Sequence, residues 1–136
     1  MMQIGVENNL QKEMAQINSV IDMLREKRGI SVRDHLGFGN AANEQLRFFT
    51  DSDGDKCIGE RNSDNNLHGK GIAIWSGQIH IGYSNNGYDA PGNYLVILSN
   101  GDVSVGEVYL KEGKLWDKFT KYLTNGKTEK YDKCID

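Results

Sequence analysis

Three groups of residues in this chain carry side chains that could do chemistry. The first is Cys57 with His80, a thiol and an imidazole able to form a nucleophile–base pair or to share a metal ion. Each stands three residues after a glycine, Gly54 or Gly77, in a stretch of alternating polarity. If those stretches are equivalent strands of successive hairpins, they lie two strand spacings apart, roughly 9.5 Å. A catalytic dyad needs contact at about 3 Å, so catalysis by this pair is not expected. Glu60 could join Cys57 and His80 in a small hydrolase, which requires a concave pocket where polar groups converge. The other histidines, His35 and His68, are dispersed, and no zinc-ligand spacing forms. His68, in His68-Gly69-Lys70-Gly71, reads as a residue that packs a turn.

The second group is Asp51-Ser52-Asp53-Gly54-Asp55, which hints at a calcium loop. An EF-hand loop needs Gly at its sixth position and Glu at its twelfth. Counting from Asp51, those places hold Lys56 and Asn62. The plainer reading is a polar turn whose carboxylates bond the backbone. The third group is glycine-rich. Gly37-Phe38-Gly39-Asn40-Ala41-Ala42 matches G-x-G-x-x-A, but no strand precedes it and no βαβ unit surrounds it. Gly126-Lys127-Thr128 lacks the upstream glycine of a phosphate loop. Asp55-Lys56-Cys57-Ile58 recurs at 132–135, out of register with the repeat described below. No catalytic residue, metal ligand or cofactor is assigned.

The chain has 136 residues, with 16 Gly, one Pro, two Cys and a net charge of −3. Length allows one domain. The charge balance gives no footprint for nucleic acid or an anionic membrane. Two cysteines cannot staple a small fold. No apolar run approaches the roughly 18 residues of a membrane span. Residues 1–10 lack the basic flank and apolar core of a signal peptide, so a cytoplasmic location is expected.

What must position these side chains is legible in two patterns. Leu10, Met14, Ile17, Ile21 and Leu24 recur in steps of 4, 3, 4 and 3, a heptad seam that predicts a helix over residues 1–29. Asn8 or Asn9 can cap its start and Gly29 its end. The seam either self-associates as a short coiled coil or packs on its own chain. Self-association through these five residues is the leading expectation. Residues 30–49 form a connector or half repeat, and 50–136 a second pattern. There Gly54, Gly77, Gly101 and Gly126 recur at spacings of 23, 24 and 25. Five residues after each come Gly59, Gly82, Gly106 and Tyr131. Between them Ile79/Ile81 and Val103/Val105 alternate with Gln78/His80 and Asp102/Ser104, the mark of strands covered on one face. The unit is strand, tight turn, strand, then a longer loop. Residues 113–124 fit a helix by local spacing and a strand by register, and register favours the strand.

Ile58-Gly59-Glu60, His68-Gly69-Lys70-Gly71 and Trp75-Ser76-Gly77 together make this part of the chain resemble the MORN-repeat family (membrane occupation and recognition nexus). Ile81-Gly82-Tyr83, Gly92 and Asn100-Gly101 follow in the next copy, and Val105-Gly106-Glu107, Gly113 and Asn125-Gly126 in the third. The resemblance covers roughly residues 50–131. It implies an elongated antiparallel sheet of about three hairpin repeats and a scaffolding role, binding protein partners that are often helices.

The expected fold is therefore mainly β with an N-terminal helix. An apolar sheet face needs a lid, and the 10–24 helix, from this chain or a partner copy, is the available one. The leading function is a non-enzymatic protein-binding scaffold, self-associating as a homo-oligomer, with no nucleic acid and no membrane lipid as partner. Trp75, Tyr83, Tyr88, Tyr94 and Trp116 are the candidate partner-binding aromatics. The alternatives are an oligomeric phage-type or cell-surface structural protein with a short coiled coil, and the small hydrolase.

Overall fold

The computed structural model describes residues 10–37 and 47–135. The heptad seam becomes helix α1, Gln11–Arg28. It stops at Gly29, whose φ of 67° is left-handed, and the Ile30 N–H reaches back to the Leu24 carbonyl. A left-handed glycine is a common way for a helix to end. The expected caps Asn8 and Asn9 lie outside the described residues, as does most of the 37–42 glycine string. A short helix follows, α2, Val32–Leu36, with the Ser31 hydroxyl accepting from the Asp34 N–H.

The remainder is β: β1 Arg47–Thr50, β2 Lys56–Arg61, β3 Leu67–Trp75, β4 Gln78–Asn85, β5 Tyr88–Asp89, β6 Gly92–Ile97, β7 Val103–Lys111, β8 Lys114–Tyr122 and β9 Thr128–Cys134. The nine strands among the described residues form one open sheet, and every pair is antiparallel. Spatial order follows chain order, except that β5 pairs only with β4. Within residues 113–124, Lys114–Tyr122 are strand, as register favoured. Among the described residues the sheet begins at Arg47, inside the expected connector.

The connections are tighter than the sequence pattern predicts. Ser76-Gly77, Asn86-Gly87 and Glu112-Gly113 are two-residue turns with both φ angles positive. Such type I′ turns suit the twist of paired strands. The segments 51–55, 98–102 and 123–127 share a three-residue loop with a left-handed fourth position, Gly54, Gly101 or Gly126. The 62–66 loop has the same two backbone hydrogen bonds, with Asn65 at φ 62° where the others have glycine. So the supposed long loops between hairpins are turns as well, and the sheet is a continuous meander.

One face of the sheet is closed by α1. Leu10, Ile17 and Leu24 are fully buried against Ile58, Ile72, Ile81, Leu95, Ile97 and Val103. Full burial of each such side chain stabilises by about 1.5–3 kcal/mol. Met14 is buried and Ile21 half-buried in the same core. The expected self-association seam is thus occupied by the chain's own sheet. The physical reason is that the sheet's inner rows of branched apolar residues need cover from water, which the stripe supplies. Arg28 pins the helix end, donating to the Gly126 carbonyl at 3.2 Å and lying 4.9 Å from the Tyr122 ring centre. α2 pins the middle. The β4–β6 ladder ends at Ile81–Leu95, and the His35 Nε2 sits 3.1 Å from the Tyr94 carbonyl and 3.0 Å from that of Gly106. Both partners are acceptors, so this nitrogen carries the proton.

Candidate functional site

The face opposite α1 is built on a row of glycines. The register aligns Gly59, Gly71 and Gly82 across β2, β3 and β4, and Gly106, Phe119 and Tyr131 across β7, β8 and β9. These include the positions that recur five residues after each turn glycine. With no side chains of its own, the row is a trough that larger residues fill. A Cβ on Gly82 would lie 2.2 Å from the Tyr94 ring, and one on Gly59 or Gly71 2.7 Å from the Leu67 side chain. Phe119 lies against Gly106 and stacks on Tyr131 at 5.8 Å. Bulky residues laid over strand glycines recover the packing that the glycines lack.

The far end of the β2–β3 hairpin rolls over this same face. The Ser52 N–H donates to the Asn65 carbonyl, the Ser52 hydroxyl to Asn66 Oδ1 at 2.6 Å, and Asn65 Nδ2 to the Thr50 carbonyl at 2.8 Å. Asn62 and Asn66 both donate to Asn86 Oδ1, and His68 Nδ1 accepts from the Asn86 N–H. His68 therefore locks a turn, as its context suggested. Two adjoining hollows of about 450 and 550 Å³ result, sharing Trp75, His80, Asp89 and Tyr94 as common walls.

Tyr94 is the centrepiece. Its phenol oxygen accepts from the Ala90 N–H at 2.9 Å and bonds the Ala90 and Tyr83 carbonyls, tying the 83–90 segment to the sheet. Burial and the nearby Asp89 hold this hydroxyl protonated, well above its ordinary range. His80 lies one row along. Its ring stacks on Trp75 at 5.0 Å and its Nε2 lies 3.2 Å from Gln78 Oε1. Burial lowers the His80 pKa, against the opposite pull of Asp117, and keeps the ring neutral at neutral pH. Trp75 is 41% exposed and Tyr88 77% exposed. Asp89 touches solvent at the mouth of the hollow, yet desolvation by the surrounding protein raises its carboxyl. Half-buried Asp117 is raised by burial and by Asp89, with Lys133 and His80 opposing. Among the described residues, neither carboxylate forms a salt bridge.

The sequence-predicted residues divide between the faces. Trp75, Tyr88 and Tyr94 meet at the open face, together with His80. Tyr83 and Trp116 do not. Alternation along β4 and β8 turns both to the helix side, where the Tyr83 hydroxyl donates to the Leu36 carbonyl and Trp116 stacks on Tyr109 at 6.5 Å. Cys57 and His80 flank Ala73 in one row, two strands apart as the repeat predicted. Cys57 is fully buried and its thiol is pushed up to about 12 by burial and by Asp51, so it is no nucleophile. Glu60 is exposed and lines a separate hollow with Arg47 and Phe48, so the hydrolase set does not converge. Asp51, Asp53 and Asp55 have carboxylate oxygens within 4.8 Å of one another. Asp51 Oδ1 accepts from the Asp53 and Asp55 N–H groups, as Asn62 Oδ1 does from Asp64 and Asn66 in the matching loop. A neutral amide does the same work there, so the turn accounts for Asp51 without a cation.

Asp89 and Asp117 are the residues that sequence reasoning missed. Asp117 sits on the polar register of a strand that also read as helix. Asp89 follows Asn86-Gly87, a turn signal inside what read as a long loop. No helix among the described residues is long and apolar enough to cross a membrane. No family model matches the chain, and comparison with curated proteins and with solved structures finds no match either.

Proposed function

We propose that this chain is a non-enzymatic binding module whose partner is a protein segment lying along the open face of the sheet. One observation carries the reading. The α1 stripe is spent on one face, while the opposite face presents a hollow edged by exposed Trp75 and Tyr88. Aromatic residues at the rim of a concave, partly polar surface are the composition of recognition patches. The sealed Cys57 and the separated Glu60 favour binding over catalysis. The MORN resemblance points the same way. A buried Cys57 thiol suits a reducing, cytoplasmic setting. Self-association through Leu10, Met14, Ile17, Ile21 and Leu24 is not part of the proposal, because those side chains lie in the chain's own core.

A random peptide library selected against the protein, with counter-selection on Trp75→Ala/Tyr88→Ala, tests this. Selected peptides are expected to shift the backbone resonances of β3, β4 and β6. Peptides that map only to α1, or that bind the double variant equally, would overturn it.

A further inference from the structure

The open-face hollow has a definite chemical preference, and this inference rests on the binding reading above. The geometry points to an arginine side chain of the partner peptide as the group seated there, its guanidinium stacked on Trp75 and paired with Asp89 and Asp117.

The aromatic wall comes first. Trp75 and His80 form a stacked pair with 23° between their planes, and Trp75 is part-exposed. Tyr88 stands on the adjoining hollow, which shares Trp75 and Asp89 with it. An indole face attracts a cation through its quadrupole, and a planar guanidinium also stacks on it. The sheet already contains such contacts: Arg28 lies over Tyr122 at 4.9 Å and Arg61 over Phe49 at 5.8 Å.

Charge comes second. Asp89 and Asp117 line one hollow together with Trp75. Asp51, Asp53 and Asp55 line the adjoining hollow, so the field there is negative. Lys121, Lys133 and Glu129 line the hollow that holds Asp117, while Asp89 borders both hollows. His80 is neutral and adds no opposing charge. A guanidinium offers five donors in a rigid fork, enough to serve both carboxylates. A lysine ammonium would satisfy the charge but not the stack.

The test uses the full chain and three probes, Ac-Gly-Arg-Gly-NH2 and its lysine and citrulline versions. Citrulline keeps the shape of arginine without the charge. Binding is followed by the Trp75 indole N–H resonance. The arginine peptide is expected to saturate, the lysine peptide to bind more weakly, and the citrulline peptide not to bind. Asp89→Asn/Asp117→Asn is expected to weaken the arginine peptide by about tenfold or more. Asp53→Asn is expected to change it little, and the backbone spectrum checks that each variant is folded. An equal response to citrulline, or an unchanged affinity in the double variant, would overturn the arginine assignment. Library-selected peptides that lack arginine but still land on Trp75 would refute the anchor and leave the docking face intact. If no peptide of any charge perturbs the open face, both proposals fail.

Discussion

Gly82→Ala is the sharpest probe of how the open face is built. A methyl group at this position would sit 2.2, 2.3 and 2.8 Å from Tyr94 Cδ2, Cε2 and Cγ. Ordinary carbon contacts begin near 3.5 Å, so the ring must retreat by about 1.3 Å. Tyr94 is only 3% exposed and its hydroxyl is held by Ala90 and Tyr83, so a retreat breaks those bonds. Overpacking costs about 1–3 kcal/mol and each lost buried hydrogen bond about 1 kcal/mol. Alanine recovers about 0.5–1 kcal/mol of chain entropy relative to glycine in a strand. The expected net loss is about 2–4 kcal/mol, read as a lower urea midpoint at unchanged slope. Because Gly82 has no positive φ, the effect is steric and not torsional. A double-mutant cycle isolates the contact. Tyr94→Ala alone is expected to cost about 3–5 kcal/mol. Adding Gly82→Ala to it should cost little more, giving a coupling of about 2 kcal/mol. A single variant within about 0.5 kcal/mol of wild type, or strict additivity, would refute the trough.

Three further outcomes are expected. Ile17→Ala opens a cavity under α1 and should destabilise by about 2–5 kcal/mol, while exposed Lys12→Ala should stay within about 0.5 kcal/mol; equal effects in urea unfolding would mean that α1 is not the lid. Cys57, buried and pushed up to about 12, should resist iodoacetamide at pH 8 in the folded protein and react once urea unfolds it, with half-buried Cys134 labelled earlier; fast Cys57 labelling by mass spectrometry would contradict its burial. Asp89 and Asp117 are both raised above 3.8, so the folded state holds their protons more tightly than the unfolded state, and stability falls as pH rises through that window. Asp89→Asn/Asp117→Asn should therefore melt higher than wild type at pH 7, the gap closing as pH falls toward 3.8; a lower melting point at pH 7 would show that the carboxylates support the fold.

Much of the architecture is legible in the chain. The left-handed glycines at 54, 77, 101 and 126 mark real turns, and the residues two and four places after Gly77 and Gly101 are buried beneath α1. These features depend on local backbone geometry and period-two alternation, which act over a few residues. The candidate site is less legible. Tyr83 and Trp116 resemble Trp75 and Tyr88 in type and neighbourhood, yet parity sends them to the other face. A one-residue difference in a strand reverses the side, and aromaticity says nothing about it.

What the sequence determined by itself is the repeat: its length, its turns, its strand alternation and the amphipathic stripe of α1. Each follows from interactions between near neighbours, so each leaves a local trace. Only the tertiary structure decided that the stripe covers its own sheet, that the recurring glycines align into one trough, and that Tyr94 fills it. Only the tertiary structure, too, brought Asp89 and Asp117 from separate strands to one hollow beside that ring. Those outcomes depend on register between strands and on which apolar surface the stripe comes to cover. Neither quantity exists until the strands are side by side.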